Sequence, residues 1–315
     1  MQPSVSSTAS RAAAVLLATA ALLLAGLQAP AGAAVTEGTP PCFDPAAHGL
    51  APASGAARGG DGLDHRPITA ADQQRIAART ARLLAQQRAG GRQQRIRVPV
   101  RVHVMAAKNG AGNVSKRAIE RQVAVMNRHF AGAESDVAAQ TKVRFVLKGV
   151  DRFRNTRWHH DEQTRKYRKA TRIGGARTLN IWLVDFGYLG IATFPWDYRA
   201  RPHVDGVRVQ FTSLPGGSQT NYDEGKTATH EVGHWLGLLH TFQGSCSETN
   251  DEVSDTPAQL DATSGCPPDD TDTCPLRAGV DPIHNYMDYS YDSCMDQFTP
   301  GQKRRMRQMW RAYRG

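Results

Sequence analysis

The stretch HEVGHWLGLLH, from His230 to His240, constrains this chain more than any other. Read on a helix, His230 and His234 lie one turn apart and share a face. Two imidazoles at that spacing can bind one zinc ion through their ring nitrogens. Glu231 follows the first histidine and is rotated out of ligation, where a general base would hold the attacking water. Gly237 ends the helix, because glycine tolerates the left-handed conformation that a helix stop requires. The chain then turns and His240 returns as third ligand, which leaves a fourth position open, as a catalytic zinc requires. A lone histidine on an apolar helix is usually structural, but three at these fixed positions around a glutamate are a far more specific signal. A rival scheme would use Glu248 or Glu252 as third ligand; His240 makes it unnecessary.

The N-terminal end says where such a site would work. Residues 12–27, AAAVLLATAALLLAGL, form an apolar run that APAGAA follows. That is the pattern of a secretory signal cut after Ala33, and the run is short for a membrane anchor. No later segment is apolar enough to cross a bilayer, so the mature protein is expected outside the cell and soluble. Outside the cytoplasm, cysteine pairs tend to oxidise. Cys246, Cys266, Cys274 and Cys294 cluster near the C-terminus, which suggests two bridges, and spacing alone leaves three connectivities. Cys42 stands apart. The net charge of +10 raises nucleic acid as a partner, but no nucleic-acid motif or aromatic-basic interleaving accompanies it.

Between leader and motif the chain changes character. Residues 34–91 are rich in Ala, Gly, Pro, Arg and Gln and read as a propeptide. Within it, residues 69–89 fit one amphipathic helix with Ile76, Leu83 and Leu84 on a face. A globular pattern starts at RIRVPVRVHVM, where Ile96, Val98, Val100, Val102 and Val104 alternate as in a strand. Residues 115–130 read as a helix capped by Ser115, with Ile119, Val123, Met126 and Phe130 on one side. KVRFVLKGV, TLNIWLVDF and DGVRVQFTSL are further strands, and GIATFPW is a short edge strand ended by Pro195. Strands and helices interleave, so the class is α/β or α+β with a mixed sheet. The motif helix is expected to start near Asp223. WHHDEQ, residues 158–163, could bind metal but reads first as a surface loop. The C-terminal run begins with a capping box of Thr299, Pro300 and Gln302. Its Met306, Met309, Trp310 and Tyr313 fall at helical spacing, so that stripe is expected on the core with the arginines in solvent.

The motif HEVGHWLGLLH resembles that of the metzincin metalloproteases. HNYMDYS then supplies the methionine turn of that group, with Met287 as its methionine. GHWLGLLHTFQGSC, SDTP, DTC, DPIHNYMDYSYDSCMDQFTPGQ, IATFPW and LPGG bring the match closer, to the pappalysin family. The resemblance covers roughly residues 92–313 and none of residues 35–91.

That resemblance implies a metzincin fold. Residues 92–240 would form an N-terminal subdomain with a twisted, mostly parallel five-stranded sheet and two long helices. Residues 241–315 would form a smaller irregular subdomain ending in a helix, with the cleft between the two. It implies hydrolysis of internal peptide bonds, with His230, His234 and His240 on zinc, Glu231 as base and Met287 as a hydrophobic floor. Tyr289 matches a tyrosine near the metal that could stabilise the oxyanion, or it could simply pack. The matching positions imply disulfides Cys246–Cys274 and Cys266–Cys294. Cys42 is then left over, either as a latency thiol or as an idle or intermolecular one. Asp251 and Asp255 are candidate calcium ligands, with a solvated loop as the alternative. Asp288, Asp292 and Asp296 follow the methionine turn, which in metzincins walls the pocket after the scissile bond. A carboxylate there would favour Arg or Lys, and the same preference would allow self-cleavage at Arg92 or Arg95. The expected protein is a secreted zinc endopeptidase acting on protein or peptide substrates, with calcium as a second candidate ion. Neither nucleic acid nor membrane insertion is expected, and the oligomeric state is open. A catalytically silent binding or adhesion scaffold is the alternative, although such scaffolds usually lose the glutamate or a ligand, and here all four residues are present.

Overall fold

The computed structural model describes residues 68–87 and 95–315. The proposed leader, Cys42 and Arg92 lie outside those residues. A first helix, α1 (Ala70–Ala85), opens with a capping box between Thr69 and Asp72. Strand β1 (Ile96–Ala106) follows, then α2 (Lys116–Phe130), capped by the Ser115 side chain, and β2 (Val143–Arg154). Two short helices, α3 (Thr156–His159) and α4 (Thr164–Thr171), lead to β3 (Leu179–Val184). Strands β4 (Gly190–Ala192) and β5 (Val207–Gln210) complete the sheet. The motif helix is α5 (Lys226–Trp235), and α6 (Pro300–Met309) closes the fold.

The sheet order is β2-β1-β3-β5-β4. The first three pairings are parallel and β4 runs antiparallel to β5 at one edge. This is the expected five-stranded mixed sheet with GIATFPW on its rim. Every residue of β3 is buried, which explains why TLNIWLVDF is almost continuously apolar: a central parallel strand is covered on both faces. Val98, Val100, Val102 and Val104 of β1 meet Ile119, Val123, Met126 and Phe130 of α2 in one core, which also takes in Val232 and Trp235 of α5. The same core contains Tyr286, Met287, Met295, Phe298 and Met306, so both halves of the chain share it.

From Thr241 to Thr299 the described backbone has no α-helix and only one isolated bridge, Asn285 to Gln297. Disulfides Cys246–Cys274 and Cys266–Cys294 staple this stretch, the pairing that the family resemblance implies. Among the described residues no helix is long and apolar enough to cross a membrane.

The structure corrects three local expectations. The motif helix starts at Lys226, after Gly225, and not near Asp223. Its cap comes from far along the chain: the Asp292 carboxylate accepts hydrogen bonds from the Glu224 and Lys226 amides at 3.0 and 3.3 Å. WHHDEQ is not a plain surface loop, because Trp158 and His159 belong to α3 and His159 is buried. Finally, the C-terminal apolar stripe does pack inward, with Met306, Met309 and Trp310 buried, but two arginines go with it. Arg314 makes two 3.0 Å bonds to Asp205 and lies 3.7 Å over the Trp235 ring. Arg305 donates to the Gly237 carbonyl and pairs with Glu252, both at 2.7 Å. A buried guanidinium is tolerable when its fork is matched by a carboxylate and carbonyls.

Candidate active site

Helix α5 ends in a turn that creates the site. Trp235 is its last residue, Leu236 is the C-cap, and Gly237 follows at φ +95°. The Gly237 amide bonds to the His234 carbonyl (2.8 Å) and the Leu238 amide to the Gly233 carbonyl (3.0 Å). These two bonds define a Schellman stop, which needs a left-handed residue where glycine stands. The chain reverses there and brings His240 back onto the face that His230 and His234 share.

The three Nε2 atoms converge, at 3.1 Å for His230–His234 and His234–His240 and 3.3 Å for His230–His240. All three rings are buried. The Nδ1 of His230 donates to the Tyr286 carbonyl at 2.7 Å, and that of His234 to the Leu238 carbonyl at 2.9 Å. Those bonds fix the tautomer and aim the Nε2 lone pairs inward. His240 is stacked on Phe242 at 4.5 Å. Three lone pairs at such distances repel one another unless a cation lies among them. Their spacing suits donors about 2.0–2.1 Å from a tetrahedral zinc, so this donor set fits the ion.

Glu231 is buried beside the histidines. Its side chain lies against edge strand β4 so closely that a Cβ at Gly190 would collide with the carboxyl group. Sequence reasoning placed the edge strand but missed why it begins with glycine. The methionine turn sits under the histidines: the Thr241 amide bonds to the Met287 carbonyl at 3.2 Å, and Met287 is fully buried. Tyr289 is brought to the same place, its ring 4.9 Å from His240 and 5.7 Å from His230.

Two supports of the turn had no signal in the local sequence. The Asn285 and Gln302 amides bond reciprocally at 2.9 and 3.0 Å, which ties the turn to the cap of α6. The Tyr286 hydroxyl donates to Glu134 at 3.2 Å. His129, hydrogen-bonded to that carboxylate, is the main reason that Glu134 is held down at about 2; Lys226 adds to the effect.

The other acidic candidates are scattered. Asp288 is buried, and its carboxylate accepts from the Thr263 and Tyr289 amides and from Gln259; burial raises its pKa. Asp292 caps α5, as described. Asp296 is half-buried, and burial raises its pKa against the opposing pull of His284 and Lys226. Asp255 caps α6 through Thr299 Oγ1 and the Gly301 amide, both at 2.7 Å. Asp251 is buried and accepts from the Val253 amide. Among the described residues, neither Asp251 nor Asp255 joins a group of three converging metal donors.

Comparison with known proteins agrees with this geometry. The peptidase family model described as Pregnancy-associated plasma protein-A matches residues 187–311. An extracellular metalloprotease of Neurospora crassa is 45% identical over 226 residues, which is 70% of this chain and 76% of that relative. The chain belongs to the pappalysin family of metalloproteases. The metalloprotease fold of this pappalysin also matches solved structures. A promirolysin variant of Tannerella forsythia superposes with a TM-score of 0.66 at 30% identity, covering 78% of this chain and 90% of that one. Mature mirolysin of the same organism, in complex with a cleaved peptide, gives 0.62 at 32% identity and covers 70% and 97%.

Proposed function

We propose that the chain is a secreted zinc endopeptidase in which His230, His234 and His240 hold the ion and Glu231 is the general base. The observation that carries this reading is the convergence of three Nε2 atoms within 3.3 Å, beside a buried Glu231. Zinc held there supplies Lewis acidity toward the scissile carbonyl. Glu231 takes a proton from the attacking water and passes it to the leaving amine. Tyr289, packed against His240, donates its hydroxyl to the oxyanion. The edge of β4 lies beside Glu231 and pairs with an extended substrate by strand addition. Secretion is supported by the leader at residues 1–33 and by relatives named as extracellular.

The test is Glu231→Gln, which should keep zinc and lose roughly 100-fold or more in peptide cleavage. A variant as fast as the parent refutes the assigned base. Cleavage by the parent that resists zinc chelation refutes the metal, and absence of any cleavage by the processed protein would leave the binding-scaffold reading.

Residues 34–91 are proposed as the propeptide, and residues 92–240 and 241–315 as the two subdomains of the catalytic domain. Support for the propeptide comes from the longer match to the pro-form, 78% of this chain against 70% for the mature form. Helix α1 docks on the body: Ile68 and Ile76 pack with Phe194, Trp196, Leu239 and Met309. A Cys42→Ala precursor that stays fully latent would remove Cys42 as the latency thiol. The preference for Arg or Lys after the scissile bond now rests on Asp288 and Asp296, since Asp292 caps α5. Digestion of a peptide library, repeated with Asp288→Asn, tests it: no enrichment of Arg or Lys at that position ends the idea. Calcium has weaker support, because Asp255 is engaged by α6; it comes down to Asp251.

A further inference from the structure

The geometry points to a second divalent-metal site, built from His159, His160 and Asp185, that takes an imidazole-binding ion of the zinc class. Their donor atoms all lie within 4.8 Å of one another. His160 Nδ1 is 3.3 Å and His159 Nε2 3.6 Å from Asp185 Oδ2. Donors on a tetrahedral ion with bonds of about 2.0–2.1 Å sit roughly 3.3 Å apart, so small side-chain rotations close this set onto a metal. Two nitrogens and one carboxylate oxygen suit zinc and its transition-metal neighbours better than calcium or magnesium, which prefer oxygen throughout.

The site has the outer contacts that a metal centre needs and a surface ion pair lacks. His159 is buried, and its Nδ1 donates to the Met105 carbonyl at 2.8 Å. That bond leaves Nε2 as the lone-pair nitrogen facing Asp185, the arrangement of a metal-bound histidine. The ring lies where a Cβ on Gly112 would stand, so its orientation depends on that glycine. Asp185 follows the last residue of β3, and its second oxygen accepts from Gln210 Nε2 at 3.1 Å. The Asp185 amide also bonds to the His159 carbonyl at 2.7 Å, which locks the two ligands in register. His160 and Asp185 remain partly open to solvent, at 51% and 38% exposure, so an ion can enter.

A metal here would join α3 to the C-terminal end of β3. The chain leaving that end runs directly into β4, the strand that covers Glu231. The site is therefore a clamp on the segment that positions the substrate edge, and it contributes no group to the three-histidine cluster. Its existence does not depend on the catalytic role proposed above.

Equilibrium dialysis of the purified protein against micromolar zinc, followed by metal analysis, tests it. The parent should hold two zinc ions per chain. His160→Ala and Asp185→Asn should each lose one, or bind it at least about 10-fold more weakly, while peptide cleavage continues. His240→Ala should lose the other ion and keep this one. Zinc should also raise the melting temperature of His240→Ala, and that rise should vanish when His160→Ala is added. A parent with a single zinc, or two zinc ions retained at unchanged affinity in both His160→Ala and Asp185→Asn, overturns the proposal.

Discussion

Residues 95–240 and residues 241–299 bury their apolar side chains by different means. In the first stretch, regular strands and helices present periodic apolar faces, and the valines of β1 pack on α2. In the second there is no α-helix, and shape comes from two disulfides, side-chain bonds to backbone, and a few large apolar residues. Yet Tyr286, Met287, Met295 and Phe298 have no exposed surface and sit in the core of the first stretch. The irregular part is thus a cover plugged into the sheet's core. It brings the methionine turn and Tyr289 under the histidines, while its own conformation is fixed by pairs distant in sequence.

The strongest way to break that distinction is to remove a plug. Phe298 packs on Phe130 at 4.8 Å and on Tyr286 at 4.9 Å, so it touches both stretches. Phe298→Ala should cost about 3–5 kcal/mol and lower one shared melting transition, read by calorimetry. Two separate transitions, with the sheet unaffected, would mean that the two stretches have separate cores after all. Removing a staple should cost less. Cys266 and Cys294 are 28 residues apart, and loop closure of that size corresponds to about 3.6 kcal/mol. The double Ser variant should keep the far-ultraviolet dichroism of the sheet at room temperature and lose peptide cleavage as the cover loosens. Unchanged cleavage with unchanged thermal stability would show that the plugs alone suffice.

The same contrast explains what was legible in the sequence. The histidine motif, the Gly237 stop, the Ser115 cap and the capping box at Thr299 are local, so spacing reveals them. The strands follow from alternation or continuous apolarity. Asp292 as the cap of α5, Gly190 against Glu231, Arg314 on Asp205 and the Asn285–Gln302 pair are not local. Each joins segments that only the finished fold brings together, and no spacing rule connects them. The acidic residues after Met287 were only half legible for the same reason. Their charge is visible in the sequence, whereas the backbone amides that occupy Asp288 and Asp292 are not.

The smallest expected effects separate the two stretches by pH. Glu134 belongs to the first and is held at about 2 against an ordinary 4.5, chiefly by His129. Between those values the unfolded chain binds a proton that the folded chain does not, so stability rises with pH there and is lost as pH falls from 4.5 toward 2. Asp251 belongs to the second, and burial pushes it up to about 8 from an ordinary 3.8. Here the folded chain keeps a proton that the unfolded chain has released, so stability falls as pH rises from 3.8 to 8. The two groups therefore shape opposite limbs of one stability curve. Glu134→Gln should flatten the acid limb, and Asp251→Asn should flatten the limb toward pH 8, leaving that variant on the order of 1 kcal/mol more stable than the parent there. Urea unfolding of the three proteins at pH 3, 5.5 and 8 checks both signs. A gain at pH 8 that calcium also produces in the parent would make Asp251 a calcium ligand, whereas an Asp251→Asn variant less stable than the parent at pH 8 would mean that its buried carboxylate is ionised and held by Arg305.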